Sequence, residues 1–262
     1  MKLALTIAGS DSSGGAGIQA DLKVFADLGV YGLSVVTAVT AQNSLGVQKI
    51  NKVPQRIVAA QIDSVVRDMG VDACKIGMLF SEEIVSRVAE RIVRREIPNV
   101  VLDPVIFAKD GSRLLLARAV QRMRQELIPK CLIVTPNLVE ADELAKIQVT
   151  DLDSVKEAAK RIHDFGPNYV LIKGGHLDGE PVDMLYDGSQ FVEYRSERVE
   201  GPTMHGTGCV FSAAITARLA RGDSVQDSIK FAKDYIVASI KKSVKLGKGQ
   251  MWYFTGGDKE RG

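Results

Sequence analysis

The turn Gly206-Thr207-Gly208-Cys209 stands directly before an apolar helical pattern and combines residue types suited to binding an anion. Glycines let the backbone approach a ligand closely, and the first turn of the helix would direct several free N–H groups toward it. Such an arrangement suits a phosphoryl group that is being transferred. Cys209 would lie at the positive end of the helix dipole, where we expect a lowered thiol pKa. An isolated cysteine is more commonly a small buried apolar residue, so that interpretation stays open beside the chemical one.

The loop that starts at Gly9 is also rich in glycine, and it fits two phosphate-binding patterns incompletely. Gly9 and Gly14 have the spacing of a P-loop, but Gly15 and Ala16 stand where that motif needs a lysine and a hydroxyl. The run from Gly15 to Ala20 fits the G-x-G-x-x-A dinucleotide pattern, yet the second strand ends without the acidic residue that binds ribose hydroxyls. That absence disfavours an NAD-dependent oxidoreductase. A tight turn that needs small residues is the remaining interpretation.

The three histidines offer little further chemistry. His205 and Cys209, four residues apart, suggest a Cys–His nucleophile pair. The sequence offers no evident acid to orient the histidine, so shaping of the turn is its favoured role. His163 and His176 lack metal-ligand spacing, and His163 falls on an amphipathic helix pattern that predicts a surface position.

Bulk properties exclude several classes of protein. The 262 residues carry a formal net charge of +2, which gives no strong attraction to nucleic acid or to anionic lipid. The three cysteines form no CxxC pair, which argues against a disulfide framework or a zinc knuckle and favours a reducing compartment. The N-terminal apolar run is short for a signal peptide, and no stretch has the length of a membrane span. We expect a cytoplasmic protein with a single domain over residues 1–262.

Short apolar runs alternate along the chain with longer helical patterns. Strand–helix alternation of this kind predicts a mainly parallel sheet with helices on both faces. An extra strand at 47–52 and a hairpin of 184–186 with 191–194, joined through Asp187-Gly188, interrupt the alternation. Ser81 and Asp153 are the predicted N-caps of two helices. The predicted strands are 3–8, 33–39, 73–76, 100–102, 132–134 and 169–173, and the predicted helices are 18–28, 55–69, 82–95, 120–127, 138–145, 154–165, 208–221 and 224–246.

The residues that follow each strand are candidates for ligand binding, because ligands of open α/β sheets bind beyond the carboxyl ends of the strands. Nearly all of these residues are glycine, proline or polar, which is consistent with one shared cleft. They are residues 9–17, 42–43, 77–78, 103–104, 135–137 and 174–176.

Several of these motifs, in this order, resemble the hydroxymethylpyrimidine/phosphomethylpyrimidine kinases of thiamine biosynthesis. The resemblance extends from residue 3 to about 247. Its longest motif is residues 7–23, and the others are Thr40-Ala41-Gln42-Asn43, Lys75-Ile76-Gly77-Met78-Leu79, Asp103-Pro104-Val105, Thr135-Pro136-Asn137, Lys173-Gly174-Gly175-His176 and His205-Gly206-Thr207-Gly208-Cys209. This family is ribokinase-like, so the resemblance implies a three-layer α/β/α fold. It also implies ATP, Mg²⁺, a homodimer, and stepwise phosphorylation of 4-amino-5-hydroxymethyl-2-methylpyrimidine to its mono- and diphosphate.

The resemblance assigns roles to the residues around the glycine turn. Cys209 would help to deprotonate the substrate hydroxyl, at the position where sugar kinases of the superfamily carry an aspartate. Gly206 and Gly208 would form the catalytic anion hole, and Thr207 would contact the nucleotide. Lys173 ends an apolar strand, where a lysine needs a charged partner, and the ATP phosphates would supply one.

Three further residues resemble the magnesium–phosphate network of the family. Asn137 would bind the nucleotide, while Asp103 and Glu140 would hold Mg²⁺ through water, since such sites keep several waters and take few carboxylates. Glu140 as an ordinary acid at a helix N-terminus, and Asp103 as a turn residue, are the simpler alternatives.

The substrate side of the cleft is implied in the same way. A primary amide such as Gln42 presents the reverse of the donor and acceptor edge of an aminopyrimidine. Gly9, Ala16 and Met78 would form the pocket, and Asp21 would lie near the hydroxymethyl or phosphate arm. Asp21 could instead be a simple capping or dipole residue of its helix.

Two departures from the family pattern and two competing functions remain. Met204 stands where the family usually has threonine, with Thr203 one place earlier, and the tail 249–254 differs from the usual ending. A related kinase acting mainly on pyridoxal or pyridoxine is the near alternative. A nucleotide-binding regulator without phosphoryl transfer is the alternative from a different class.

Overall fold

The computed structural model describes residues 1–108, 111–174, 181–197 and 204–249, together with the backbone pairing of 252–253. His176, Thr203 and most of the tail from residue 250, which the sequence interpretation singled out, lie outside the described residues. Among the helices described, none is long and apolar enough to cross a membrane.

Strands and helices alternate as the apolar pattern predicts. The strands are β1 Leu3–Asp11, β2 Tyr31–Asn43, β3 Gly46–Lys52, β4 Ala73–Ile76, β5 Val100–Leu102, β6 Ile133–Val134, β7 Tyr169–Ile172, β8 Val182–Tyr186, β9 Phe191–Arg195, β10 Val244–Lys245 and β11 Trp252–Tyr253. The helices are α1 Gly17–Asp27, α2 Gln55–Met69, α3 Glu82–Arg94, α4 Ala117–Arg122, α5 Leu138–Ala145, α6 Leu152–His163, α7 Thr207–Arg221 and α8 Val225–Lys241.

One sheet contains the first nine strands in the order β3-β2-β1-β4-β5-β6-β7-β8-β9. In this order, the six central strands from β2 through β1 to β7 are mutually parallel. The strand β3 at one edge and the hairpin β8–β9 at the other run antiparallel to their neighbours. The mostly parallel sheet, its extra strand and its hairpin are therefore confirmed.

Helices cover both faces of the sheet, because each central strand buries both of its faces. Leu5 and Ile7 of β1 pack in the core cluster that contains the apolar residues of α2 to α6. Ala4, which directly precedes Leu5, belongs to the opposite cluster with α1, α7 and α8. This alternation produces the three-layer α/β/α architecture.

The chain reverses its direction of sheet growth at β1. From β1 it passes to β2 on one side, and it later returns to β4 on the other side of β1. In open α/β sheets a crevice opens at such a switch point, beyond the carboxyl ends of the strands. Both glycine-rich loops lie at this edge.

Apart from shifts of up to four residues at the ends of several elements, three details differ from the sequence prediction. The helix predicted to reach residue 246 ends at Lys241, because Val244–Lys245 pairs as β10 with Trp252–Tyr253. The predicted helix 120–127 is α4 followed by one π-helical turn, Met123–Leu127. The N-cap of α6 is Asp151, whose carboxylate accepts from the Ser154 amide in a reciprocal capping box, so the prediction of Asp153 was wrong.

Candidate active site

The two glycine-rich loops touch each other at the carboxyl edge of the sheet. A Cβ on Gly206 would lie 2.1 Å from the carbonyl oxygen of Gly15, and Gly206 has a φ of +75°. A Cβ on Gly17 would lie 2.3 Å from the carbonyl oxygen of Gly9. Only glycine fits at Gly206 and Gly17. Gly206 allows the close approach of the two loops, and Gly17 allows the first loop to close on itself.

The first loop is closed by the carboxylate of Asp11. The amides of Ser13, Gly15 and Ala16 donate to that carboxylate over 2.8, 3.2 and 2.8 Å. Burial alone would raise the pKa of Asp11, but hydrogen bonds from His205 and Ser13 hold it below its ordinary value. The amides that could cradle a phosphate are thus occupied by a side chain of the loop itself. Of the interpretations left open, the geometry supports the tight turn.

The second loop leaves the N-terminus of α7 without a side-chain cap. Gly206 is the N-cap residue, and the first N–H groups of a helix have no intrahelical partner. A Cβ on Gly208 would lie 3.3 Å from the Lys173 ammonium and 3.4 Å from a carboxylate oxygen of Asp103. The start of α7 therefore meets a cation, and the two together form a site for an anion.

Lys173 and Asp103 form an ion pair at the floor of this site. Their charged atoms are 2.8 Å apart, and the Lys173 side chain keeps 16% exposure. Ser212 Oγ is 3.3 Å from the other oxygen of Asp103. Burial alone would lower the pKa of Lys173, but the charges of Asp103 and Glu140 raise it, so the lysine is cationic.

Asn137 and Glu140 adjoin Lys173 at the start of α5. The Asn137 side chain accepts from the Glu140 amide, and the Glu140 carboxylate accepts from the Asn137 amide, both over 2.9 Å. Burial raises the pKa of Glu140 to about 7, against the opposing charge of Lys173. The capping role considered for Glu140 is thus present. In the described part of the chain, no group of three or more His, Cys, Asp or Glu residues could hold a metal ion directly.

Cys209 occupies the first turn of α7 and is partly exposed to the cleft. The Gly17 backbone favours the thiolate form. Desolvation raises the pKa of the thiol to about 11, and the nearby charge of Lys75 offsets this only in part. The expectation of a lowered pKa was wrong, because surrounding protein and the carboxylates of Asp21 and Asp103 outweigh the helix terminus.

Asp21 is fully buried, and its position near the substrate arm stays a prediction. Its carboxylate receives the Lys75 ammonium at 2.6 Å and the Thr6 hydroxyl at 2.6 Å. The side chains of both Asp21 and Lys75 have 0% exposure. Asp21 thus has no surface with which to contact a substrate, and it acts on the cleft through the charge of its pair.

The predicted substrate residues line the β1–β2 side of the crevice. The Cε of Met78 lies 2.8 Å from the position of a Cβ on Gly9, so a larger residue at position 9 would displace the flexible end of Met78. Ala16 is the residue before α1 and is half-buried. The half-buried amide of Gln42 contacts the ring of His205 at 3.0 Å. Met204 is buried in the core, and its carbonyl accepts from Thr207 Oγ at 3.3 Å.

Two structural roles were missed from the sequence. Lys75 interrupts the otherwise apolar run of β4. A lysine in an apolar strand needs a charged partner, so the reasoning used for Lys173 also identifies Lys75. Asp11 carried no such signal, since an aspartate in a glycine loop has many uses.

His163 is half-buried, and its ring meets Tyr186 edge-on at 5.2 Å between ring centroids.

A three-layer α/β/α fold with a cationic lysine at an uncapped helix terminus suits a phosphotransferase, and the comparisons agree. The family model for phosphomethylpyrimidine kinase matches residues 11–253. The chain belongs to the phosphomethylpyrimidine kinase family, whose members are phosphotransferases.

Individual relatives support the same assignment. A hydroxymethylpyrimidine/phosphomethylpyrimidine kinase of Haemophilus influenzae is 45% identical over 255 residues, covering 95% of this chain and 94% of the relative. The thiamine biosynthesis bifunctional protein of Geobacter sulfurreducens is 47% identical over 246 residues, and the match covers 94% of this chain but 50% of that protein. An ADP complex of Bacillus subtilis pyridoxal kinase has a TM-score of 0.91 at 41% identity, covering 98% of this chain and 97% of that one.

Proposed function

We propose that this kinase transfers a phosphoryl group from ATP to 4-amino-5-hydroxymethyl-2-methylpyrimidine and then to the resulting monophosphate, giving the diphosphate used in thiamine biosynthesis. The observation that carries the proposal is the Lys173 ammonium 3.3 Å from the Cβ position of Gly208, at the open N-terminus of α7. The names of the relatives support the choice of substrate.

The α7 turn and Lys173 bind the phosphoryl group as it moves. Backbone N–H groups at Gly206, Thr207 and Gly208 meet the negative charge that develops on it, in a site that costs little reorganisation. Lys173 neutralises charge on the phosphates and keeps Asp103 as its counter-ion when the nucleotide leaves. Asn137, on the neighbouring loop, completes the nucleotide side.

Cys209 accepts the proton of the substrate hydroxyl or holds it for transfer. With a thiol pKa of about 11, Cys209 is protonated at neutral pH, so it accepts the hydroxyl proton only in the small fraction of molecules whose thiol proton has first passed to solvent. Lys75 lowers the pKa of the thiol and Asp21 raises it, so the effects of this pair on the thiolate oppose each other. Cys209 is therefore a base in the transfer step, and no covalent nucleophile is required.

The carboxylates near Lys173 fit a magnesium site of the kind that uses water. Asp103 and Glu140 are buried to 2% and 3% exposure, and both act electrostatically on Lys173. Mg²⁺ takes one or two carboxylates and keeps several waters, which matches a pair of acids without a third. The ion would supply positive charge to the phosphates, with Asp103 and Glu140 holding its waters.

Pyridoxal is the second candidate substrate, because the Bacillus subtilis neighbour is a pyridoxal kinase of 41% identity. Both substrates are hydroxymethyl-bearing aromatic heterocycles, and the turn around Cys209 would serve either. Gln42 favours the aminopyrimidine, whose amine and ring nitrogen match the acceptor and donor of an amide.

A substrate panel tests the proposal. ADP release should depend on the hydroxymethylpyrimidine and on its monophosphate, and should be weaker with pyridoxal. Cys209→Ala should lower kcat by ~10²-fold or more with a smaller change in KM, because a base acts in the transition state. Turnover of pyridoxal alone would transfer the activity to the second candidate. ATP consumption that ignores every heterocycle would instead favour a nucleotide-binding regulator.

A homodimer in the cytoplasm completes the proposal. Val39 and Leu45, at 51% and 67% exposure, place apolar side chains at the β2–β3 end of the sheet, where a second copy could cover them. Sedimentation equilibrium should give twice the mass of one chain, and a monomer at micromolar concentration would contradict this.

A further inference from the structure

The ring of His205 lies between the amide of Gln42 and the carboxylate of Asp11. His205 Nε2 is 3.0 Å from the amide atom assigned as Gln42 Nε2 and 3.1 Å from Asp11 Oδ2. On the other side of the amide, Thr40 Oγ is 3.3 Å from the atom assigned as Gln42 Oε1. The two ends of the Gln42 amide thus each meet a polar group of the protein.

The proton on His205 Nε2 follows from Asp11. That carboxylate already accepts the amides of Ser13, Gly15 and Ala16, an environment that keeps it ionised. An ionised carboxylate can only accept, so His205 Nε2 must carry the hydrogen that lies between them. A protonated Nε2 cannot also accept from an NH₂ group. The Gln42 atom beside His205 is therefore the carbonyl oxygen.

The hydroxyl of Thr40 leads independently to the same orientation. It has one proton, and the carbonyl of Ser10 at 2.9 Å is a closer acceptor than the Gln42 amide at 3.3 Å. Once that proton is donated to Ser10, Thr40 Oγ presents a lone pair to the amide. The Gln42 atom beside Thr40 is then the NH₂ nitrogen. The oxygen and nitrogen of an amide are interchangeable in shape, so hydrogen-bond partners decide between them.

We propose that His205 and Thr40 lock the Gln42 amide in one orientation, with its oxygen toward His205 and its nitrogen toward Thr40, and that His205 is thereby a specificity-determining positioning residue. This inference rests on the proposed function, since it assigns Gln42 to the heterocycle. One lone pair of the oxygen and one N–H of the nitrogen remain for the ligand, in a fixed order.

A fixed amide discriminates between heterocycles of the same shape. A 4-aminopyrimidine places a donor beside a ring-nitrogen acceptor, which fits the remaining acceptor and donor of Gln42. The 4-oxo analogue, in its N–H tautomer, places an acceptor beside a donor. To bind it, the Gln42 amide must turn over. Its NH₂ group would then face the N–H of His205, and its oxygen would face the lone pair of the Thr40 hydroxyl oxygen. We expect a preference of about 10- to 100-fold for the amino compound.

The test compares kcat/KM for 5-hydroxymethyl-2-methylpyrimidines with a 4-amino or a 4-oxo group. His205→Leu should reduce the preference by about tenfold, mainly through a higher KM for the amino compound and an unchanged or lower KM for the oxo compound. His205→Gln, which returns an N–H near the position of Nε2, should recover most of the preference. An equal loss for both compounds in His205→Leu would overturn the inference, because a merely structural role affects them alike.

A second pair of variants tests the Thr40 side of the same Gln42 amide. Thr40→Val removes the hydroxyl and should also reduce the preference, whereas Thr40→Ser should retain it. If His205→Leu does not fold, this pair decides alone, and an unchanged preference in Thr40→Val overturns the inference. The parent protein tests the proposed function separately through its turnover of the amino compound. If turnover is absent, the same ratios are taken from the calorimetric Kd values of the two compounds, and a parent without preference contradicts the lock.

Discussion

Two lysines stand at the carboxyl ends of parallel strands, and each is paired with an aspartate from a neighbouring element. Lys75, the third of the four residues of β4, meets Asp21 of α1 at 2.6 Å, and Lys173 after β7 meets Asp103 after β5 at 2.8 Å. In sequence both lysines follow or interrupt an apolar run, so the pattern alone does not distinguish them. Their exposure does, since the first side chain has 0% and the second 16%.

That difference assigns separate roles to chemically identical pairs. The Lys75–Asp21 pair is sealed, and Thr6 takes up a further hydrogen-bonding position on the aspartate, so no ligand can exchange with either charge. The Lys173–Asp103 pair opens onto the start of α7, where an incoming phosphate can take over the lysine. A sealed pair affects stability and the local field, whereas an open pair can exchange its partner for a substrate.

The largest expected effect is on stability, from Lys75→Met. Removing the lysine leaves the Asp21 carboxylate buried without its counter-ion, which should lower the free energy of unfolding by ~3–5 kcal/mol. Urea denaturation followed by circular dichroism measures the change. Lys75→Met combined with Asp21→Leu removes both charges and should return most of the loss. A single variant as stable as the parent would mean that Asp21 is neutral there and that the sealed pair is no ion pair.

Loss of the open pair should affect catalysis more than it affects stability. Lys173→Met should lower kcat/KM for ATP by ~10²–10³-fold, because the cation that meets the phosphates is lost. Its free energy of unfolding should fall by less than about 2 kcal/mol, since Asp103 keeps Ser212 and the cleft admits water. Steady-state kinetics and urea denaturation of one preparation give both values.

Lys173→Arg is the matched control, because it keeps the charge but changes the geometry of the donors. Partial recovery of kcat/KM for ATP is expected from it. A Lys173→Met protein that loses stability as Lys75→Met does, while it retains turnover, would erase the distinction between the two pairs.

The sequence predicts most of the fold, because apolar runs buried on both faces indicate strands of a parallel sheet. The antiparallel β3 and the β8–β9 hairpin were also predicted, the hairpin with the help of Asp187-Gly188 at its turn. The end of α8 was not, since the pairing of Val244 with Tyr253 depends on a segment distant from the helix. A local pattern does not contain a contact of that kind.

The candidate site likewise has features that the sequence predicts and features that it does not. Glycine spacing and strand ends bring Lys173, Gly208 and Asp103 to one point, and the sequence predicts this much. The burial of Asp21 and the raised pKa of Cys209 depend on what packs around them, which only the fold determines. The filling of the first loop by Asp11 depends likewise on three backbone amides that converge after folding.

The smallest expected effect tests how far the sealed pair reaches into the chemistry, through the reactivity of Cys209. With a pKa of about 11, alkylation of this thiol by iodoacetamide should speed up about tenfold per pH unit from 7 to 10, because only the thiolate reacts. Cys74 and Cys131 are buried and their pKa values are also raised, so Cys209→Ser gives the background rate.

The double variant Lys75→Met with Asp21→Leu then isolates the field of the pair. Lys75 lowers the pKa of Cys209 and Asp21 raises it, so removing both should slow alkylation at pH 8 by no more than about threefold. Lys173→Met gives the matched measurement on the open pair. A tenfold slowing in the double variant would correspond to a full unit in the pKa of Cys209. The sealed pair would then help to activate the base, and the separation between a structural and a catalytic lysine would have to be withdrawn.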